Sequence, residues 1–120
     1  MEDRRKTAGN YGENAAVGYL ASKGYKMVAQ NFRHAGGEID IVARDGGVLV
    51  FVEVKYRKQL NFGRPAEDVG VAKRKAIITA AYAYLYENDL HDISCRFDVI
   101  EVFGRELLEI NHIENAFEEC

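Results

Sequence analysis

Residues 38–57 read EIDIVARDGGVLVFVEVKYR, and they decide how the rest of the chain is read. Residues 38–44 alternate, and Asp45-Gly46-Gly47 supplies turn chemistry before a strand-forming run at 48–56. The pattern predicts a β-hairpin. In its second strand, Phe51, Glu53 and Lys55 share one face, while Val50, Val52 and Val54 share the other. So little polar relief predicts a strand buried on both faces. An ionised side chain in such a place is costly unless paired or bound to metal, so Glu53 and Lys55 require compensation from the fold.

Outward from the hairpin, residues 10–23 predict a helix: Asn10 as cap, Glu13 in the first turn, and Ala16, Val17 and Leu20 as an apolar stripe. Gly24 suits its stop, and residues 25–32 read as a strand. On the other side, residues 57–66 read as a polar loop ending near Pro65. A helix follows from about Glu67 to Glu87, with Val71, Ile78, Tyr82 and Leu85 on one face and Asn88-Asp89 at its end. Residues 95–103 form a strand, Gly104 a turn, and a short strand lies near Leu107–Ile110. The order α-β-β-β-α-β, plus a short terminal strand, predicts an α/β fold with a mixed central sheet flanked by helices.

A chain of 120 residues suits one domain spanning 1–120. With 48% hydrophobic and 29% charged residues it has the composition of a soluble globular protein. No apolar run reaches the roughly 20 residues that span a bilayer, and MEDRRKTAGN lacks the apolar core of a signal peptide. Cys95 and Cys120 give neither a disulfide framework nor a zinc site, so the cytoplasm is expected. The net charge of −3 argues against a polyanionic partner, but the distribution does not. Residues 1–75 hold 14 Lys and Arg against 9 Asp and Glu, whereas residues 76–120 hold 2 against 10. Cations gather at Lys55, Arg57, Lys58, Arg64, Lys73, Arg74 and Lys75, a local field able to hold a polyanion. Chance clustering on a solvated surface is the plainer alternative.

Glu38 and Asp40 point to one face of the first hairpin strand, and Ile39 and Ile41 to the other. A register in which paired residue numbers sum to 93 sets Asp40 opposite Glu53 and Glu38 opposite Lys55. Two carboxylates side by side in a sheet ask for a divalent cation. Carboxylate oxygens are the hard ligands of Mg²⁺, and the Val54 carbonyl is a further candidate ligand. Lys55 would face water or a phosphate oxygen, where its ammonium stabilises developing negative charge. In outline this is a site for phosphodiester hydrolysis. The plain alternative is a Glu53–Lys55 salt bridge with Asp40 in a polar position near the turn.

An Asp, a hairpin turn and an apolar strand ending in Glu-x-Lys resemble the PD-(D/E)XK motif of restriction-endonuclease-like nucleases, here Asp40 and Glu53-Val54-Lys55. Ile39 stands where that motif usually has proline. Gly12-Glu13, Ala16, Tyr19-Leu20, Gly24-Tyr25, Asn31-x-Arg33, GEIDIVAR, VFVEVKYR, Arg96-Phe97-Asp98 and HIENAF together resemble the YraN family of small bacterial proteins. That family is similar in its core to archaeal Holliday junction resolvases. The resemblance implies a restriction-endonuclease-like fold, with Asp40, Glu53 and Val54 as metal ligands and Lys55 positioning or activating water. It also implies Glu13 as an acidic residue of the preceding helix that binds metal directly or through water; read alone, Glu13 is a dipole-complementing acid.

Arg57, Lys58 and Arg64, interleaved with Tyr56 and Phe62, suit a nucleic-acid backbone and an unstacked base, or else form a surface loop. Lys73 is a candidate phosphate contact, or a residue of a solvated helix face. Tyr82, Tyr84 and Tyr86 read as helix packing, Asp98 as a residue that orients Arg96, and His34 as a surface histidine near the hairpin. His91 and His112 carry no signal. The expectation is a Mg²⁺- or Mn²⁺-dependent endonuclease of DNA, including branched or four-way-junction DNA; two cuts in a junction imply a homodimer. The alternative is a non-catalytic protein that keeps the fold and binds nucleic acid or a protein partner.

Overall fold

The computed structural model describes residues 4–34, 36–57, 70–104 and 108–118. Its elements are α1 (Arg4–Ser22), β1 (Lys26–His34), β2 (Gly37–Asp45), β3 (Val48–Arg57), α2 (Val71–Glu87), β4 (Ser94–Phe103) and β5 (Glu109–Phe117). The expected mixed α/β architecture is present: a five-stranded sheet in the order β1-β2-β3-β4-β5, with only β3 and β4 parallel. The parallel pair follows from the crossover through α2, whereas the other neighbours are antiparallel.

The helices cover opposite faces. Ala16 and Leu20 of α1 pack with Ile41, Ala43, Val50, Val52, Ile100 and Val102. Ile77, Ala80, Ala81 and Tyr84 of α2 pack with Ile39, Val42, Leu49, Phe51, Phe97 and Val99. β3 is therefore buried on both faces, as its apolar run requires.

Helix α1 starts at least six residues before the expected position, so Asn10 lies inside it and is not its cap. Its end is a Schellman turn around Gly24, at φ 91°, with the Tyr25 N–H bonded to the Leu20 carbonyl at 3.0 Å and the Gly24 N–H to Ala21 at 3.0 Å. Helix α2 ends in the same way, with Asp89 in the left-handed position at φ 53° and the Leu90 N–H on the Leu85 carbonyl at 2.8 Å. The expected start of α2 at Glu67 lies outside the described residues.

The expected stripe of α2 holds for Ile78 and Leu85, which pack partly buried against the core, but the most buried face is rotated from it. Val71 is 65% exposed and Tyr82 51% exposed, whereas Ala80 and Ala81 face the sheet. Alanines allow closer approach than Tyr82 would, and the helix presses so near β2 that a Cβ on Gly37 would meet the Ala76 carbonyl. Of the three tyrosines read as helix packing only Tyr84 is core, whereas Tyr82 and Tyr86 are exposed. β5 is longer than the short strand expected near Leu107–Ile110, of which Leu107 lies outside the described residues. Among the described residues no helix is long and apolar enough to cross a membrane.

Candidate active site

The hairpin takes the register in which residue numbers sum to 93, from Asp45↔Val48 to Ile41↔Val52. There the ladder stops. Beyond it β2 stays paired with β1, through Phe32↔Ile39 and Arg33↔Glu38, while β3 stays paired with β4, through Glu53↔Val99 and Lys55↔Glu101. The sheet forks, and Asp40 and Glu53 sit at the crotch. Instead of a backbone carbonyl, the Asp40 carboxylate meets β3: its Oδ2 accepts the Val54 N–H at 2.8 Å. A strand residue presents N–H and C=O to the same edge, so the Val54 carbonyl also faces the fork.

The expected alternation in β2 breaks at this point. Ile39 belongs to the α2 side and Ile41 to the α1 side, although they are two residues apart. Between Gln30↔Ile41 and Phe32↔Ile39, Asn31 stands across from Asp40 with φ 54°. That left-handed residue turns the ribbon over and sets Asp40 in the gap, while Glu38 and Asp40 still line one cleft. Glu38 does not meet Lys55; it pairs with Arg33 at 3.5 Å on the β1 side of the fork.

Glu53 is buried and faces α2, as does Lys55. Lys73 Nζ reaches Glu53 Oε1 at 2.6 Å, and Lys55 Nζ stands 3.9 Å from the same oxygen. Lys73 thus belongs to the carboxylate site itself and not to a merely solvated helix face. Asp40, Glu53 and Lys73, with Gly36, Gly37, Glu38, Ala72, Ala76 and Ile77, line an open cleft of about 440 Å³.

Glu13 is carried in by α1. Gly12 lets the helix lie against Tyr56, where a Cβ on Gly12 would come within 2.8 Å of the Tyr56 Cβ. Glu13 Oε2 accepts a hydrogen bond from Asn31 Nδ2 at 3.2 Å, so it is coupled to the site through the left-handed residue. Tyr56 packs on the α1 side, edge-on to Tyr11, with its hydroxyl donating to the Gly104 carbonyl at 2.8 Å; it is not an aromatic platform beside the site. Arg57 lies on β3 and pairs with buried Glu101 at 3.1 Å. Lys58, Phe62 and Arg64 lie outside the described residues.

The electrostatics are set by burial and by the closeness of the two carboxyl groups. Burial, followed by the charge of Glu53, pushes the Asp40 carboxyl up to about 8, against the opposing effect of the Val54 N–H. Burial also raises Glu13, offset in part by Asn31. Burial and then Lys73 lower Lys55; for Lys73 burial is again the largest effect, but the hydrogen bond to Glu53 and the charges of Glu53 and Asp40 together outweigh it and raise the ammonium. Two hard carboxylate ligands close together, with a backbone carbonyl nearby, fit a divalent cation. Among the described residues no three His, Cys, Asp or Glu side chains gather closely enough to hold one on their own, so Glu13 stands back from the pair.

A second polar cluster, unsuspected from His112 in the sequence, lies on the α1 side of the sheet. Asp98 is wholly buried; it accepts from Arg96 Nε at 3.0 Å and from the Asn115 N–H at 3.1 Å, and its Oδ2 is bonded to His112 Nε2 at 2.7 Å. Arg96 also reaches Asp45 and the Tyr25 hydroxyl, and His112 Nδ1 meets the Tyr19 hydroxyl. Asp98 does orient Arg96, as read. No local motif joins these positions, because Tyr19, Tyr25 and Asp45 come from elements far along the chain from β4 and β5.

The profile of the family described as Uncharacterised protein family UPF0102 matches residues 12–102. A UPF0102 protein of Clostridioides difficile strain 630 is 50% identical over 114 residues, covering 93% of this chain and 97% of its own. One from Geobacter metallireducens is 45% identical over 119 residues, covering 98% of each.

Proposed function

The chain belongs to the UPF0102 (YraN) family, and from the chemistry at its forked sheet we propose that it is a metal-dependent endonuclease of DNA. The observation that carries this reading is the meeting of Asp40 and Glu53 at the crotch of the fork, with the Lys55 ammonium 3.9 Å from Glu53. In this reading Asp40, Glu53 and the Val54 carbonyl hold Mg²⁺ or Mn²⁺, and Glu13 acts through Asn31 or through water. A bound divalent cation would neutralise charge on the phosphodiester and make water more acidic. Lys55 orients the attacking water and stabilises negative charge as it develops on the phosphate. The Val54 N–H fixes Asp40 Oδ2 in a residue that lines the cleft. Arg57, Lys58, Arg64 and Lys73 contact backbone phosphates, which positions the strand without reading its sequence. Branched or four-way-junction DNA is the finer substrate, with two protomers cutting symmetrically. A cytoplasmic location belongs to the same reading.

The test is incubation of labelled linear, flapped and four-way-junction DNA with Mg²⁺ or Mn²⁺, with Asp40→Ala protein alongside. Metal-dependent cutting by the wild type and none by the variant is the expected result. DNA binding without cutting by either protein would replace this reading with that of a non-catalytic binder.

A further inference from the structure

Lys73 stands in the first turn of α2 and, among the described residues, holds the nearest cation to Glu53, 2.6 Å from Oε1 against 3.9 Å for Lys55. Its side chain is 48% exposed, while that of Glu53 is 7% exposed. The two ends of this ion pair therefore have unequal freedom. Glu53 is built into the sheet, but Lys73 reaches in from the open wall of the cleft. The backbone of α2 is pinned where Ala76 lies against Gly37, so the ammonium leaves by rotation about side-chain bonds while the helix stays in place.

We infer that Lys73 is the resident counter-ion of this site: it competes with a divalent cation for Glu53, and the cation's arrival releases it into the cleft toward the substrate phosphate. The inference rests on the metal-binding reading above and adds an order of events to it. An ammonium and a divalent cation repel each other strongly on one carboxylate oxygen, and solvent screening is weak beside a buried side chain. Lys55 is already farther from the oxygen and is fixed to the same strand as Glu53, so the displaced group is Lys73. Released, it remains a lining residue of the same cleft, where an ammonium attracts a phosphate oxygen. Metal and phosphate then bind with positive coupling.

Titration calorimetry with Mn²⁺ alone, on wild-type, Lys73→Met, Lys73→Gln and Lys73→Arg proteins, tests this without any turnover. Removing the competitor should tighten Mn²⁺ binding about five- to tenfold in the Met and Gln variants, with Lys73→Arg close to wild type. Melting in EDTA checks that each variant is folded; the Met and Gln variants should melt lower than wild type and gain more from Mn²⁺. Equal or weaker Mn²⁺ binding by both folded neutral variants would overturn the inference while leaving the metal site standing. No Mn²⁺ binding by the wild type or any variant would overturn the metal reading, and this inference with it.

Discussion

Asp40 carries a carboxyl group that burial and the neighbouring charge of Glu53 push up to about 8. An acid whose folded value lies above its unfolded value of about 4 binds its proton more tightly when folded. Its contribution is favourable at low pH and is lost as pH rises from about 4 to about 8. Asp40→Asn keeps an oxygen for the Val54 N–H and abolishes the titration. In EDTA it should be more stable than wild type by on the order of 1–2 kcal/mol at pH 8, with little difference near pH 4; denaturant melts across that range check this. Activity should be lost in the same variant. The carboxylate was legible because Asp40 and Glu53-Val54-Lys55 break an apolar hairpin at a fixed spacing. The reversal of faces beside it was not, because one left-handed asparagine among ordinary strand residues leaves no periodic trace.

At the scale of elements, the hairpin, the crossover helix and β4 were legible because turn chemistry and period-two alternation are local. The buried face of α2 was not. Its sequence offers Ile77, Ala80 and Ala81 beside Ile78, Tyr82 and Leu85, and hydrophobicity favours the larger set. What decides is clearance over Gly37, a property of the strand beneath. The same dependence on clearance holds for α1, which lies against Tyr56 only because residue 12 is glycine. Gly12→Val should cost about 1–3 kcal/mol by overpacking, and it should draw Glu13 away from Asn31. Chemical denaturation reads the first effect. A rise in Mn²⁺ dissociation constant, with Asp40 and Glu53 intact, reads the second if Glu13 acts on the cation through water.

Across the whole molecule, the Asp98 cluster ties strands and α1 together by contacts between residues as far apart as 19 and 112. Such closure is invisible in a sequence read by neighbours. Burial alone would raise the Asp98 carboxyl, but the hydrogen bonds from His112, Arg96 and the Asn115 N–H hold it below the ordinary carboxylate range. The sign is opposite to that of Asp40: the stabilisation is full above the unfolded value near 4 and is lost as pH falls through the lower folded value. Asp98→Asn should lower stability at pH 7 by about 3 kcal/mol and flatten the acid limb below pH 4, as followed by circular dichroism against pH.

The fork gives the two carboxylates different landlords: Asp40 belongs to the half of the sheet anchored on β1, and Glu53 to the half anchored on β4. Their separation is therefore the opening of a pair of calipers whose pivot is the Ile41–Val52 pair. Packing at either outer leg, far from any ligand, adjusts that opening without altering one atom of the site.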